Sequence, residues 1–177
     1  MARSLFVTVG STRFQALTDA VLAPVALDAL AAAGVTQLTV QLGSGGIPAH
    51  VRVPDAGGEW THSTLRVTLL RYTADGVHMA RLLSAADAVV SHAGAGTILQ
   101  VLRLPRPLLV VPNTALMDNH QQELADALSA GDYLSVASVD DLVDGLRRLL
   151  DNPHTTPFPA FEPARFGAIL DETAGFA

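Results

Sequence analysis

DAVVSHAGAGTILQ, residues 87–100, joins a short apolar run to a glycine-rich turn and then to an apolar-faced segment. Ala88, Val89 and Val90 suit a parallel strand buried on both faces, where β-branched side chains pack well. Gly94 and Gly96 let the backbone turn sharply and approach a ligand without a Cβ in the way. A helix is expected from Thr97 onward. Free amides at such a helix start, with the positive end of the macrodipole behind them, bind anions, pyrophosphate above all. Taken alone the stretch fits two readings, a ligand-binding turn and a plain strand-to-helix connection.

The chain on either side repeats the same alternation. Residues 5–9 read as a buried strand and residues 10–12 as its turn. Apolar residues then recur at helical spacing from Phe14 to Leu30, with Pro24 a kink or break and Gly34 the stop. A second strand is expected over 36–42. It ends in Gly43-Ser-Gly-Gly46, read as a flexible loop because no helical pattern follows. Residues 47–63 read as an irregular surface excursion in which Trp60 and His62 serve local packing. Strands follow at 64–71, 88–90, 107–112 and 133–137, with helices at 77–86, 97–104, 120–130 and 140–150 between and after them. Ser138, Asp140 and Asp141 are expected to cap the last of these, not to hold a metal. Strand-helix alternation of this kind argues an α/β fold, a Rossmann-like doubly wound parallel sheet over residues 1–151. Residues 152–177 read as a proline-rich linker and a final amphipathic helix at 164–174, packed on the domain or on a partner.

Composition narrows the function. The chain has 177 residues, 49% hydrophobic and 16% charged, which is enough to build one core and too little for two full domains. A net charge of −6 with no basic cluster argues against nucleic acid, so any phosphate must be held by backbone amides. No cysteine is present, which excludes disulfides and thiolate metal sites. The apolar run after Met1 is too short for a signal or anchor, and the longest apolar stretch, 21–35, is interrupted by Pro24, Asp28 and Gly34. No direct membrane span is expected.

Ligands of doubly wound sheets bind beyond the carboxyl ends of the strands. That rule gathers three loops, 10–13, 92–97 and 113–122, onto one rim. Asn119, Gln121 and Gln122 can donate and accept hydrogen bonds, as sugar recognition requires, although each also suits a solvated helix start. A dinucleotide site fits worse: strand one is followed by Gly10-Ser-Thr-Arg-Phe, not GxGxxG, and no acidic residue ends strand two. A GxSxG elbow and an HExxH pair are also missing.

Four segments together carry a specific resemblance: residues 6–12 (FVTVGST), 91–96 (SHAGAG), 116–125 (LMDNHQQELA), and 163–171 with its PARF and LD. They resemble the small soluble subunit of the eukaryotic UDP-N-acetylglucosamine transferase that adds the second sugar to N-acetylglucosaminyl-diphosphodolichol, a relative of glycosyltransferase 28 C-terminal domains. The resemblance implies the C-terminal, donor-binding half of a GT-B glycosyltransferase with UDP-N-acetylglucosamine as donor and no obligatory metal or other cofactor. It also implies a membrane-anchored partner that holds the lipid-linked sugar acceptor, and recruitment of this cytoplasmic chain to the cytosolic face of the endoplasmic reticulum. Carried over by position, Gly94, Ala95, Gly96 and Thr97 face the pyrophosphate, Gly10, Ser11 and Thr12 line the cleft floor, and Asn119, Gln121 and Gln122 contact sugar or ribose. Gln100 stands where such proteins usually present an acidic residue to the ribose hydroxyls. His92 and His120 lie near the rim; His92 is kept as a donor contact and a candidate for proton transfer, with loop packing as the competing reading. Two other functions stay open: a bacterial-type polysaccharide glycosyltransferase subunit, and a non-catalytic nucleotide-sugar-binding module.

Overall fold

The structure, a computed structural model, describes residues 3–53, 58–72, 75–104, 106–114, 120–153 and 156–159. Strand β1 (Arg3–Thr8) leads through a glycine turn to helix α1 (Gln15–Val21) and helix α2 (Pro24–Ala32). The single apolar period from 14 to 30 is thus broken at Pro24, which begins α2 and leaves the two axes bent by 54°. Proline has no N–H to continue the first helix but is preorganised to start the second. Strand β2 (Val35–Gln41) follows Gly34, whose φ of +79° closes the helix.

Residues 59–62 depart from the expected irregular excursion. They form strand β3 (Glu59–His62), which turns through Ser63 and pairs antiparallel with β4 (Leu65–Leu70). Tertiary pairing has overridden a segment with too few residues to show a period: Trp60 packs against the core while Glu59 and Thr61 face out. His62 reaches α2, where its Nε2 lies 2.7 Å from Asp28 Oδ1.

Helix α3 (Gly76–Ala85), strand β5 (Ala88–His92), helix α4 (Ala95–Leu102), strand β6 (Leu108–Val111), helix α5 (His120–Ala130), the two-residue strand β7 (Ser135–Val136) and helix α6 (Leu142–Asp151) complete the order. The sheet runs β3-β4-β2-β1-β5-β6-β7, and every pairing except that of β3 is parallel. Without the β3 edge this is the 3-2-1-4-5-6 order of the doubly wound fold. The expected doubly wound parallel sheet is therefore present, with one antiparallel strand added at its edge.

Alternation along the strands divides the core. Leu5 and Val7 of β1 and Val90 of β5 pack under α1, α2 and α6, whereas Phe6 and Val89 pack under α3, α4 and α5. Gly145 lets α6 lie close to the sheet, since a Cβ there would come within 2.8 Å of Ala137 Cβ and 3.2 Å of Leu109 Cδ2. At the N-terminal end of the sheet, Asp87 Oδ2 accepts from Ser4 N at 2.8 Å and Ser4 Oγ at 2.9 Å, and these bonds hold its carboxyl below the usual range. Past α6, Phe158 stacks edge-on against Tyr133 with ring centroids 5.2 Å apart, so the start of the linker is docked on the domain. The helix expected at 164–174 lies outside the described residues. Among the described residues no single helix is long and apolar enough to cross a membrane.

Candidate functional site

Parallel strands point their carboxyl ends at one rim, and the chain changes direction across that rim between β1 and β5. From β1 it runs outward to β2 and β4; from β5 it runs the other way to β6 and β7. The loops at 10–13 and 92–97 therefore flank the switch point, the crevice where such sheets take ligands.

Helix α4 begins two residues earlier than the sequence suggests. Gly94 is its N-cap, with φ −79° and ψ 119° and no side-chain cap, and the first intrahelical bond runs from Ile98 N to Gly94 O at 3.0 Å. The amides of Ala95, Gly96 and Thr97 thus precede the first intrahelical donor, Ile98 N, and are left for an outside partner. The early start arises because no side chain at Ala95 or Gly96 competes for the backbone, so the helix extends back to the turn. Ala95, Gly96 and Gln100 are exposed and Thr97 is half-buried. A Cβ on Gly96 would meet nothing within 4 Å, so internal packing does not require glycine there. Gln100 lies one turn beyond Gly96 on the same side of the helix.

His92 explains the other two glycines. Its ring is only 7% exposed and sits between the turns: a Cβ on Gly10 would come within 2.7 Å of its Cε1, and one on Gly94 within 2.3 Å of its Nε2. Gly10 is also left-handed, at φ +63°. Burial pushes the His92 imidazole below 6.5, against a weaker opposing pull from the Thr8 backbone, so the ring is neutral near pH 7. Its Nδ1 is buried without a hydrogen-bond partner.

The remaining expected residues are placed unevenly. Ser11 is exposed beside Gly10, but the Thr12 hydroxyl turns inward and donates to Val9 O at 2.8 Å. The loop at 43–46, expected to be flexible, is pinned: Ser44 N donates to Thr12 O at 3.2 Å, and Gln15 bonds both polar groups of the Gly46 backbone. Gln121 is half-buried with Oε1 unpartnered, whereas Gln122 donates to Asp126 Oδ1 at 2.8 Å. Asn119 lies outside the described residues, as does the side chain of His120. A cavity of about 340 Å³ beyond β6 and β7 is lined by Thr114, Gln122, Ser138, Asp141 and Arg148 among others, and shares only Gln122 with the expected site. Ser138 bonds Asp141 through both its backbone N and its carboxylate, so Asp141 steadies the start of α6 through serine and not by capping amides itself. Among the described residues no three His, Cys, Asp or Glu groups are close enough to hold a metal ion.

Thr8 and Gln41, the last residues of β1 and β2, are buried polar residues beside the Gly10 and Gly43 turns, and neither was expected to serve the site.

The chain matches the family described as the glycosyltransferase family 28 C-terminal domain over residues 4–166. It is 38% identical to the UDP-N-acetylglucosamine transferase subunit ALG13 of Cryptococcus neoformans over 98% of this chain and 97% of that protein. The solution structure of ALG13 superposes with a TM-score of 0.67 at 29% identity, covering 97% of this chain and 96% of that one. Acinetobacter baumannii MurG shares the fold, with a TM-score of 0.61 at 21% identity over 86% of this chain and 42% of its own. With a switch-point crevice, an open helix start after β5 and a match running through nearly the whole sequence, the chain belongs to the glycosyltransferase family 28 C-terminal-domain family.

Proposed function

We propose that this chain is the donor-binding half of a two-part N-acetylglucosaminyltransferase. It binds UDP-N-acetylglucosamine, and a membrane-anchored partner presents N-acetylglucosaminyl-diphosphodolichol at the cytosolic face of the endoplasmic reticulum. The observation that carries this reading is the start of α4, where the free amides of Ala95, Gly96 and Thr97 stand at the switch point under open space. The printed name of the Cryptococcus relative, a UDP-N-acetylglucosamine transferase subunit, supports the donor and the need for a second subunit.

In the transfer, the 4-hydroxyl oxygen of the acceptor sugar bonds to C1 of the donor sugar as the bond from C1 to the β-phosphate oxygen breaks, with inversion. The electron pair leaves with UDP. Charge growing on that diphosphate falls on the α4 amides and the helix dipole, preoriented donors that need no reorganisation and take the place of a metal. Gly10 and Ser11 form the adjacent wall, Gln100 meets the ribose one turn along α4, and Asn119 and Gln121 meet the sugar. Gln122 joins them only by sharing its amide with Asp126. The acceptor proton passes to a base on the partner half, because His92 is wedged between Gly10 and Gly94 and acts as a spacer.

The test is purification of the chain alone and with the candidate membrane subunit. Calorimetry should show UDP binding to the chain alone, and chitobiosyl lipid should form only with the partner, from dolichol-linked and not undecaprenyl-linked acceptor, and in the presence of a chelator. Turnover by the chain alone, or no affinity for UDP, overturns the reading.

A further inference from the structure

Among the described residues six polar side chains are buried, and five of them, Thr8, Gln41, Ser91, His92 and Asn113, lie at or just past the carboxyl ends of the central strands. Polarity inside this core is therefore concentrated beneath the proposed donor site. Thr8 pairs in register with Gln41 on one side and with Ser91 on the other, so the three side chains form one row on the α4 face of the sheet. The row is bonded in a fixed sense. Gly10 N donates to Thr8 Oγ1 at 3.1 Å, and the Thr8 hydroxyl donates to Gln41 Oε1 in a short contact. Thr8 thus accepts from Gly10 and gives its own proton to Gln41, whose amide is set with Oε1 toward Thr8 and Nε2 away. Nε2 is then buried with no partner, and Gln41 is 0% exposed.

As a filler of the core, glutamine is a poor choice here. Methionine or leucine would occupy a similar volume and remove the unpaired Nε2, but would take away the acceptor of the Thr8 hydroxyl. What glutamine alone supplies is the acceptor that fixes the Thr8 hydroxyl, and through it the Gly10 amide and the left-handed turn. We propose that Gln41 is a positioning residue of the donor site, acting through Thr8 to hold the Gly10 turn opposite the α4 amides. The proposal rests on the donor-binding reading above for its consequence, though not for the relay itself.

Three variants test it in the full chain: Gln41→Met, Thr8→Val and Thr8→Ser. Gln41→Met should melt close to the wild-type temperature, since the unpaired Nε2 is exchanged for an unpaired Thr8 hydroxyl, yet bind UDP about tenfold more weakly, a loss of the size one hydrogen bond controls. Thr8→Val should weaken UDP binding similarly, the Gln41→Met/Thr8→Val double variant should lose little more than either alone, and Thr8→Ser, which keeps the hydroxyl, should bind as wild type. Amide hydrogen exchange at Gly10 in the ligand-free protein should accelerate in Gln41→Met and Thr8→Val but not in Thr8→Ser. Unchanged Gly10 exchange overturns the relay whatever the ligand. Accelerated exchange with unchanged UDP affinity overturns the positioning role. A wild type that binds no UDP overturns the donor reading while exchange still decides the relay.

Discussion

Two glycines two residues apart in the same turn should respond to alanine in opposite ways. At Gly94 the backbone is ordinary, φ −79° and ψ 119°, so alanine meets no conformational strain and the objection is steric alone. Its Cβ would lie 2.3, 2.8 and 3.1 Å from His92 Nε2, Cε1 and Cδ2, and the ring, 7% exposed, has little room to retreat. Overpacking of this kind costs about 1–3 kcal/mol. For a chain of this size each kcal/mol lowers the melting temperature by about 2–4 °C. Gly96→Ala is the reverse case: it sits in the helix with open space around the new methyl, and restricting the unfolded chain stabilises by about 0.4–1 kcal/mol. That methyl stands where a diphosphate would approach the amides, so UDP affinity should fall by about tenfold or more. Thermal melts and calorimetry on both variants supply the comparison. A double-mutant cycle with His92→Ala isolates the contact: coupling between positions 92 and 94 should reach about 1 kcal/mol, because the smaller side chain removes the overlap. A Gly94→Ala protein that melts with wild type, coupling near zero, or a Gly96→Ala protein that binds UDP normally would refute the geometry.

Gln100→Glu should tighten UDP binding by about fivefold at pH 7, since hydrogen bonds to a charged acceptor exceed neutral ones by about 1 kcal/mol; no gain in a calorimetric titration would mean that Gln100 does not meet the ribose. His92 gives stability a pH dependence of defined sign. Its folded value lies below 6.5, so the unfolded chain takes up the proton first and stability present above about 6.5 is lost as pH falls through the folded value. Melts between pH 8 and 5 should therefore show a decline that His92→Gln flattens, and an equal decline in the variant would assign the effect elsewhere.

Most of the fold was legible because the strands are buried on both faces and the helices are not. Val89, Val90, Leu109 and Val110 form continuous apolar runs, while the stretches between them keep a helical period. What escaped was set by distant contacts. Strand β3 exists because β4 offers it an edge, and no pattern in four residues reports that. The start of α4 was placed late because GxG reads as loop, whereas Ala95 and Gly96 continue the helix once Gly94 has made the turn. Within the site, the residue types around the turn were legible, but their division of labour was not. Gly94 and Gly96 look alike in sequence, yet one makes room for a histidine and the other faces open space. Thr12 reads as a floor residue until its hydroxyl is found bonded to Val9, and Thr8 and Gln41 read as core until their hydrogen bonds are traced.

The two sides of the switch point are built to different standards, and that difference bears on how the proposed enzyme divides its work. The floor is fixed: Thr8, Gln41, His92 and the 43–46 loop hold the Gly10 turn through hydrogen bonds and through contacts that leave no space for a Cβ. The roof is open, with Ala95, Gly96 and Gln100 all exposed. A diphosphate on that helix start would keep one flank in water, where the amides are screened and a departing charge gains less from them. Transition-state stabilisation by α4 therefore depends on water being excluded from its exposed side. On the proposed reading the partner half does this when it brings the acceptor, so that its contribution to rate includes strengthening the donors this chain already presents. The chain alone would then bind UDP with its full set of amides and still be a poor catalyst, for an electrostatic reason as well as for want of a base.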